Sequence, residues 1–210
     1  MNDRQVEFWR GDFGNAYTNR NNLQPDLARA RVAMWSRILR HTVSAPPASI
    51  LEVGANIGIN LRALRTLTGA RLMALEPNDK ARGILLEDEV VAPGDVKPGL
   101  ASAIDWPDGA ADLVFTSGVL IHIHPDQLHE SMREIHRCAA RWIVCVEYFA
   151  DRPMEVDYRG HSEVLFKRDF GSEWLDLFPS LRPVAYGFEW RRVTGLDNLT
   201  WWLFESLKSR

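Results

Sequence analysis

One feature above all limits what this 210-residue chain folds into: after Pro46-Pro47, short apolar runs alternate with amphipathic stretches. Ser49-Ile50-Leu51-Glu52-Val53 is brief, branched and apolar, and ends at Gly54, which is the pattern of a strand buried on both faces. Asn60 to Leu67 then places Leu61, Leu64 and Leu67 on one helical stripe. The rhythm repeats as a strand at Arg71 to Leu75, a helix from Asp79 to Leu86, a strand at Asp112 to Thr116, a helix from Pro125 to Ala139 and a strand at Trp142 to Glu147. Strands separated by helices predict βαβ units and a parallel α/β sheet covered on both faces. The tail departs from the rhythm. A helix over Arg168 to Phe178 precedes two strands, Val184 to Arg191 and Leu199 to Glu205, whose short connection predicts an antiparallel pair finishing the sheet. Ahead of the prolines, residues 26–43 read as a helix with Leu27, Trp35, Ile38 and Leu39 among arginines.

Charge and cysteine usage remove several classes of function. Lys and Arg number 25 against 28 acids, a net charge of -3, so the basic footprint of a nucleic-acid binder is missing. Cys138 and Cys145 lack the spacing of a zinc site or a disulfide framework and read as buried free thiols, and no metal is expected. There is no run of about 18 apolar residues, and the N-terminus is charged where a signal peptide is apolar. A soluble cytoplasmic protein with a small-molecule substrate, no membrane partner and a monomeric or homodimeric state is expected.

Ligands of open parallel sheets sit outside the carboxyl ends of the strands, so the loop after the first strand is the first place to look for a cofactor. It reads Glu52-Val53-Gly54-Ala55-Asn56-Ile57-Gly58, with Ile59 where a dinucleotide fingerprint needs its third glycine. Glu52 beside that loop repels a pyrophosphate and favours a cationic ligand. S-adenosylmethionine is such a ligand, carrying a sulfonium and an ammonium and no phosphate. At the end of the second strand, Glu76 in Leu75-Glu76-Pro77-Asn78 stands where an acid accepts both ribose hydroxyls.

Glu52-x-Gly54-x-x-x-Gly58 followed by Glu76 resembles the class I, seven-stranded S-adenosylmethionine-dependent methyltransferases, and Asp105 to Phe115 resembles their approach to the fourth strand. More narrowly, Phe8 to Asn21, Gly118 to Ile123, Tyr158-Arg159-Gly160-His161, Leu165 to Phe170 and Leu199-Thr200-Trp201 resemble the methyltransferases associated with pseudaminic acid biosynthesis. The resemblance implies a bacterial enzyme with a Rossmann-like, seven-stranded, mostly parallel sheet, acting on a nonulosonic acid or related surface sugar. On this reading the chain is a single domain: an arm and helix over 1–47 on the cofactor side, a cofactor-binding core over 48–150, and a lid with the C-terminal strands over 151–210. Other readings are methylation of another small metabolite, a catalytically silent cofactor-binding module and, more distantly, a nicotinamide-dependent oxidoreductase.

The expected cofactor residues are Glu52, Gly54, Asn56, Gly58, Glu76 and Pro77, with Ser117 after the fourth strand. Asn56 replaces the usual middle glycine, either to bond the methionine carboxylate or to stabilise a left-handed turn. The acid the class often places after its third strand is absent, so Ser102 or groups near Ala103 and Ile104 are expected to read adenine. Trp9, Phe13, Tyr17 and Arg20 precede any regular pattern, with Gly11 and Gly14 permitting bends; such an arm either folds over the cofactor or packs as a core staple.

Methyl transfer to a hydroxyl needs a base near the carboxyl edge. His122 and His124 follow the fourth strand, and each has a capping or hydrogen-bonded role as its alternative; Glu147 ends the fifth. The catalytic candidates are His122, Glu147 and His161, the last from the resemblance. Tyr148, Tyr158, Arg159, Lys167 and Arg168 are the substrate candidates, the basic residues as a clamp for a carboxylate, with a solvated charged loop as the alternative. Eight tryptophans against four tyrosines raise the question of location: Trp9 and Trp106 are expected beside the ligand, and only one of Trp201 and Trp202 can face the substrate side.

Overall fold

The computed structural model describes residues 7, 9–20, 24–158, 160, 162 and 164–207. In chain order its strands are β1 (Ser49–Val53), β2 (Arg71–Leu75), β3 (Val96–Lys97), β4 (Ala111–Ser117), β5 (Ala139–Glu147), β6 (Met154–Glu155), β7 (Phe166–Lys167), β8 (Leu181–Glu189) and β9 (Leu199–Ser206). The helices are α1 (Asp12–Arg20), α2 (Pro25–Leu39), α3 (Ile59–Arg65), α4 (Asp79–Glu87), α5 (Pro125–Cys138), α6 (Phe170–Leu177) and α7 (Arg191–Thr194).

Seven strands form one sheet in the order β3-β2-β1-β4-β5-β9-β8. The pairs β2–β3, β1–β2, β1–β4 and β4–β5 are parallel. β9 is antiparallel to both β5 and β8, so β8 again runs with β5. Strand order reverses between β1 and β4, and the switch point that results is where a crevice opens at the carboxyl edge. The fold is the Rossmann-like architecture expected, with the C-terminal antiparallel pair in place.

Period-two alternation divides the interior. Along β1, Ile50 faces the layer that holds Trp35 and Ile38 of α2 and Leu61 and Leu64 of α3, whereas Leu51 and Val53 face Met132 and Ile135 of α5. Glu52 therefore shares the side of Ile50 and is carried under α2 and α3, 2% exposed. Trp35, Trp142 and Trp174 are among the largest fully buried side chains, and burying a large apolar side chain stabilises by about 1.5–3 kcal/mol. Cys138 and Cys145 are buried free thiols.

Two local expectations differ from the structure. The N-terminal arm is not irregular: Asp12–Arg20 is helical, and Gly14, rather than making a bend, lies buried in that helix. An added Cβ there would collide with the Trp9 carbonyl of the arm and meet Asn78 Nδ2 at 3.0 Å, so this glycine lets the arm pack on itself and beside the loop after β2. Between β5 and α6, β6 and β7 pair as a small antiparallel unit that the sequence pattern does not announce. Among the described residues no helix is long and apolar enough to cross a membrane, and no group of three His, Cys, Asp or Glu is placed to hold a metal ion.

Candidate active site

A cavity lies at the carboxyl ends of β1, β2 and β4, lined by residues of the loop after each strand, by Trp9 and Tyr17 of the arm, by Arg31 of α2 and by Gln127 and Ser131 of α5. Its floor is the turn after β1. Gly54 (φ +77°), Asn56 (φ +47°) and Gly58 (φ +72°) all adopt the left-handed region, which a chain must enter repeatedly to reverse so tightly between strand and helix. Asn56 thus makes the left-handed turn, its Oδ1 accepting from Ile57 N at 2.9 Å and its Nδ2 donating to Thr18 Oγ1 of α1 at 3.3 Å.

Glu76 joins two loops. Its Oε2 accepts from Asn56 N at 2.7 Å and its Oε1 from Asn78 N at 2.8 Å. Burial raises its pKa, against the lowering effect of those amides. Each oxygen keeps lone-pair capacity after accepting one amide, which suits the carboxylate to a vicinal diol. Asn78 caps α4 through Ala81 N at 3.0 Å and donates to the Trp9 carbonyl and Asn15 Oδ1 of the arm at 3.2 and 3.0 Å.

A buried polar chain runs below the turn. Asn60 Nδ2 donates to Glu52 Oε1 at 2.7 Å, while Asn60 Oδ1 accepts from Arg31 Nη1 at 3.0 Å and Trp35 Nε1 at 3.3 Å. Two atoms of that chain, Glu52 Oε2 and Arg31 Nε, are buried without a hydrogen-bond partner. Burial pushes the Glu52 carboxyl up to about 8 and lowers the Arg31 guanidinium. Orphaned buried polar atoms of opposite charge preference on one cavity wall call for a ligand with complementary groups.

Rings gather at one side of the cavity, where Trp9, Tyr17 and His122 line it. Trp9 lies 5.5 Å from Phe13 and from Tyr17, centroid to centroid, and 4.9 Å from His122; Tyr158 lies 5.3 Å from His122 and 6.4 Å from Phe13. His122 Nδ1 is 2.6 Å from the Val164 carbonyl, which only accepts, so Nδ1 carries the proton and Nε2 the lone pair. Burial lowers the imidazole to about 4, so the ring is neutral at physiological pH.

Of the sequence-expected residues, Trp9, Tyr17, Glu52, Gly54, Asn56, Glu76, Pro77, Ser102, Ser117 and His122 line this cavity. Others are placed elsewhere. Gly58 sits behind the turn against Leu85 and Val90. Arg20 lies over the Phe13 and Tyr17 rings. Ile104 is 4% exposed in the core with its amide on Glu134 Oε2, and Ala103 is exposed; the part of this loop that lines the cavity is Gly99 to Ser102 instead. Arg137 braces that loop, donating to the carbonyls of Ile104 and Trp106.

Glu147, read as a catalytic carboxylate, is turned inward with 0% exposure. It accepts from the amides of Val119 and Leu120, both at 3.1 Å, and of Ile121 at 3.5 Å, because the strand end points it at the turn carrying His122 rather than into the cavity. Burial raises it to about 7. His124 caps α5 through Asp126 N at 3.3 Å. Arg168, read as part of a carboxylate clamp, is paired with Glu173 at 3.0 Å, and Lys167 and Tyr148 line a separate cleft. Arg159 and His161 lie outside the described residues. Trp106 packs on the α5-side core beneath Lys97 and does not line the cavity. Arg31, Asn60 and Asn78 were missed; Arg31 has a visible signal, since it falls on the helical stripe of Leu27, Trp35 and Ile38 where the other arginines do not.

A family model described as a methyltransferase domain matches residues 23–205. No curated protein matches the sequence. Among solved structures, the Burkholderia thailandensis 1,6-didemethyltoxoflavin-N1-methyltransferase, bound to its 1,6-didemethyltoxoflavin and S-adenosylhomocysteine, superposes with a TM-score of 0.73 at 18% identity, covering 99% of this chain and 91% of that one. A Leishmania major S-adenosylmethionine-dependent methyltransferase gives 0.73 at 16% identity, covering 96% and 82%. The Synechocystis magnesium protoporphyrin IX methyltransferase with bound S-adenosylhomocysteine gives 0.69 at 11% identity, covering 98% and 100%. At such identities the likeness establishes a shared fold.

Proposed function

The chain belongs to the methyltransferase domain family, and from that premise we propose that its cavity binds S-adenosylmethionine and directs the methyl group to an oxygen, with nitrogen second, of a small carboxylated sugar. One observation carries the cofactor reading. Glu52 Oε2 and Arg31 Nε, both buried and unpartnered, stand on one wall where a zwitterionic methionine end offers an ammonium and a carboxylate. Glu76 suits the ribose hydroxyls, and the wall from Gly99 to Ser102 suits the adenine ring. When bound, S-adenosylmethionine supplies a methyl group already activated by its sulfonium.

The protein's task is then to hold the acceptor in line, an orientation effect worth up to roughly 7–11 kcal/mol. Trp9, Tyr17 and His122 line the cavity. His122, with its proton fixed on Nδ1, accepts the proton of an acceptor hydroxyl at Nε2. Tyr158, packed on that imidazole, borders the acceptor. The sugar, a nonulosonic acid or its nucleotide-linked form, rests on the resemblance of Tyr158 to His161 and Leu165 to Phe170 to the pseudaminic acid-associated enzymes. The ring-lined side of the cavity favours a planar metabolite as the second reading.

Turnover tests the proposal. The chain, supplied with S-adenosylmethionine and either a nonulosonic acid panel or planar heterocycles, is assayed for S-adenosylhomocysteine. Product with the sugars supports the first reading, product with heterocycles alone the second, and cofactor binding without turnover on any acceptor would make the chain a silent binding module.

A further inference from the structure

The turn that carries His122 hangs from the end of β5, and its backbone amides can be followed one by one. Gly118 N donates to the Val146 carbonyl at 2.9 Å, His122 N to the Val119 carbonyl at 2.9 Å and Ile123 N to the Leu120 carbonyl at 3.1 Å. Between them stand the amides of Val119, Leu120 and Ile121, which open the short 3-10 turn Leu120–His122. The first amides of such a turn have no acceptor within it, and Val119 at the cap position has no side-chain acceptor to offer. Glu147 takes that place from across the fold. Val119 N and Leu120 N both donate to its Oε1 at 3.1 Å, and Ile121 N lies 3.5 Å from Oε2. Two consecutive residues of β5, Val146 and Glu147, thus hold the turn by its backbone.

The arrangement is selective about the side chain at position 147. A carboxylate with 0% exposure is costly unless donors compensate it, and here burial pushes the carboxyl up while the amides of Leu120, Val119 and Ile121 pull it back. Three donors facing two oxygens suit a group that accepts at both; a carboxamide would turn its NH2 towards one of them. At the far end of the turn stands His122, with Nδ1 donating to the Val164 carbonyl at 2.6 Å and its ring 4.9 Å from Trp9 and 5.3 Å from Tyr158. His122 lines the cavity and Glu147 does not.

We propose that Glu147 is the positioning residue of the site: its carboxylate holds the amides of Val119, Leu120 and Ile121 and so fixes the imidazole of His122 where an acceptor hydroxyl meets it. The inference rests on the methyltransferase reading for its meaning, not for its geometry. It takes the place of the catalytic role expected for Glu147 from sequence, because the carboxylate acts through the turn and not on a reacting atom.

Nitrogen and proton NMR of His122 in the full chain, compared with Glu147→Leu and Glu147→Gln, tests it. Leucine removes both acceptor oxygens, so the Nδ1 proton of His122 exchanges with water about tenfold faster or more, and a second population with the proton on Nε2 appears. Glutamine keeps one carbonyl oxygen for Val119 and Leu120, and exchange stays within about threefold of wild type. Calorimetry with S-adenosylhomocysteine gives affinities within about threefold of wild type in both variants, because Arg31, Glu52 and Glu76 belong to other elements. A folded leucine variant with wild-type exchange, or an equal effect of the two substitutions, overturns the proposal. So does a loss of S-adenosylhomocysteine affinity as large as the change at His122, which makes Glu147 a general support of the cavity. If the leucine variant does not fold, the wild type decides: the amides of Val119 and Leu120 and the Nδ1 proton of His122 show equal protection from exchange because they open as one unit, and unequal protection overturns the proposal. Folded wild-type protein that fails to bind S-adenosylhomocysteine removes the methyltransferase reading, and the NMR comparison still decides whether Glu147 holds His122.

Discussion

His122, on the turn after β4, and Val164, just before β7, are joined by a hydrogen bond of 2.6 Å from imidazole Nδ1 to the main-chain carbonyl. This contact fixes the imidazole tautomer, with the proton on Nδ1 and the lone pair on Nε2. With its pKa lowered to about 4 by burial, the imidazole stays neutral through the physiological range. Nitrogen NMR of His122 should therefore show a protonated Nδ1 and an unprotonated Nε2 from pH 6 to pH 8. Turnover should show no inflection near 6.5, and His122→Ala should lower kcat by about 10²–10⁴-fold. A titration midpoint near 6.5 would contradict this placement.

Buried carboxyls contribute to the dependence of stability on pH, with Glu76 raised alongside Glu52 and Glu147. Glu52 and Glu147 are raised from 4.5 to about 8 and about 7. Across that interval the folded chain binds more protons than the unfolded one, so stability falls as pH rises from about 4.5 towards 8. His122 acts in the opposite sense below about 6.5, where the unfolded chain takes up the proton first and stability falls on acidification. Denaturant melts of the ligand-free chain should show the alkaline loss shrink in Glu52→Gln. An unchanged pH slope in that variant would remove Glu52 as its source.

Gly54 is held without a side chain by both its backbone and its neighbours. Its φ is +77°, and an added Cβ would lie 2.6 Å from Val119 Cγ2. Gly54→Ala should cost about 1–2 kcal/mol from the backbone alone, with a further loss from the clash. Gly54→Ala combined with Val119→Ala should recover the clash component and leave the backbone one, as read from urea midpoints. Full recovery would mean that the left-handed conformation is not the constraint.

The tryptophans divide between reporter and core. Trp9 lines the cavity and Trp106 does not, so S-adenosylhomocysteine should change fluorescence in the wild type and in Trp106→Phe but not in Trp9→Phe. A signal lost only with Trp106 would move the ligand to the other side of the loop.

Strand and helix order was legible because hydrophobic periodicity is written locally, and the acids Glu52 and Glu76 stand beside a glycine turn whose spacing is itself a signal. The arm was not legible as a helix, although Trp9, Phe13, Tyr17 and Arg20 recur at helical spacing, because two glycines and several asparagines weaken helix propensity and tertiary contacts with Asn78 supply the stability. Glu147 misled for a different reason. Its position at a carboxyl edge is the same whether it faces the cavity or gathers three amides, and only the folded turn distinguishes the two. Arg31 could be located by its place on an apolar stripe, but its partner Asn60 lies 29 residues away, a pairing no local pattern contains.

Binding of S-adenosylhomocysteine to the ligand-free chain at pH 7, by calorimetry in buffers of different ionisation enthalpy, tests the central claim most directly. The account predicts binding with release of a proton, because the ligand's ammonium draws Glu52 from its neutral to its charged form, and loss of both affinity and proton release in Glu52→Gln. Folded protein that shows no heat at high micromolar ligand, or that binds equally well after Glu52→Gln, would contradict it.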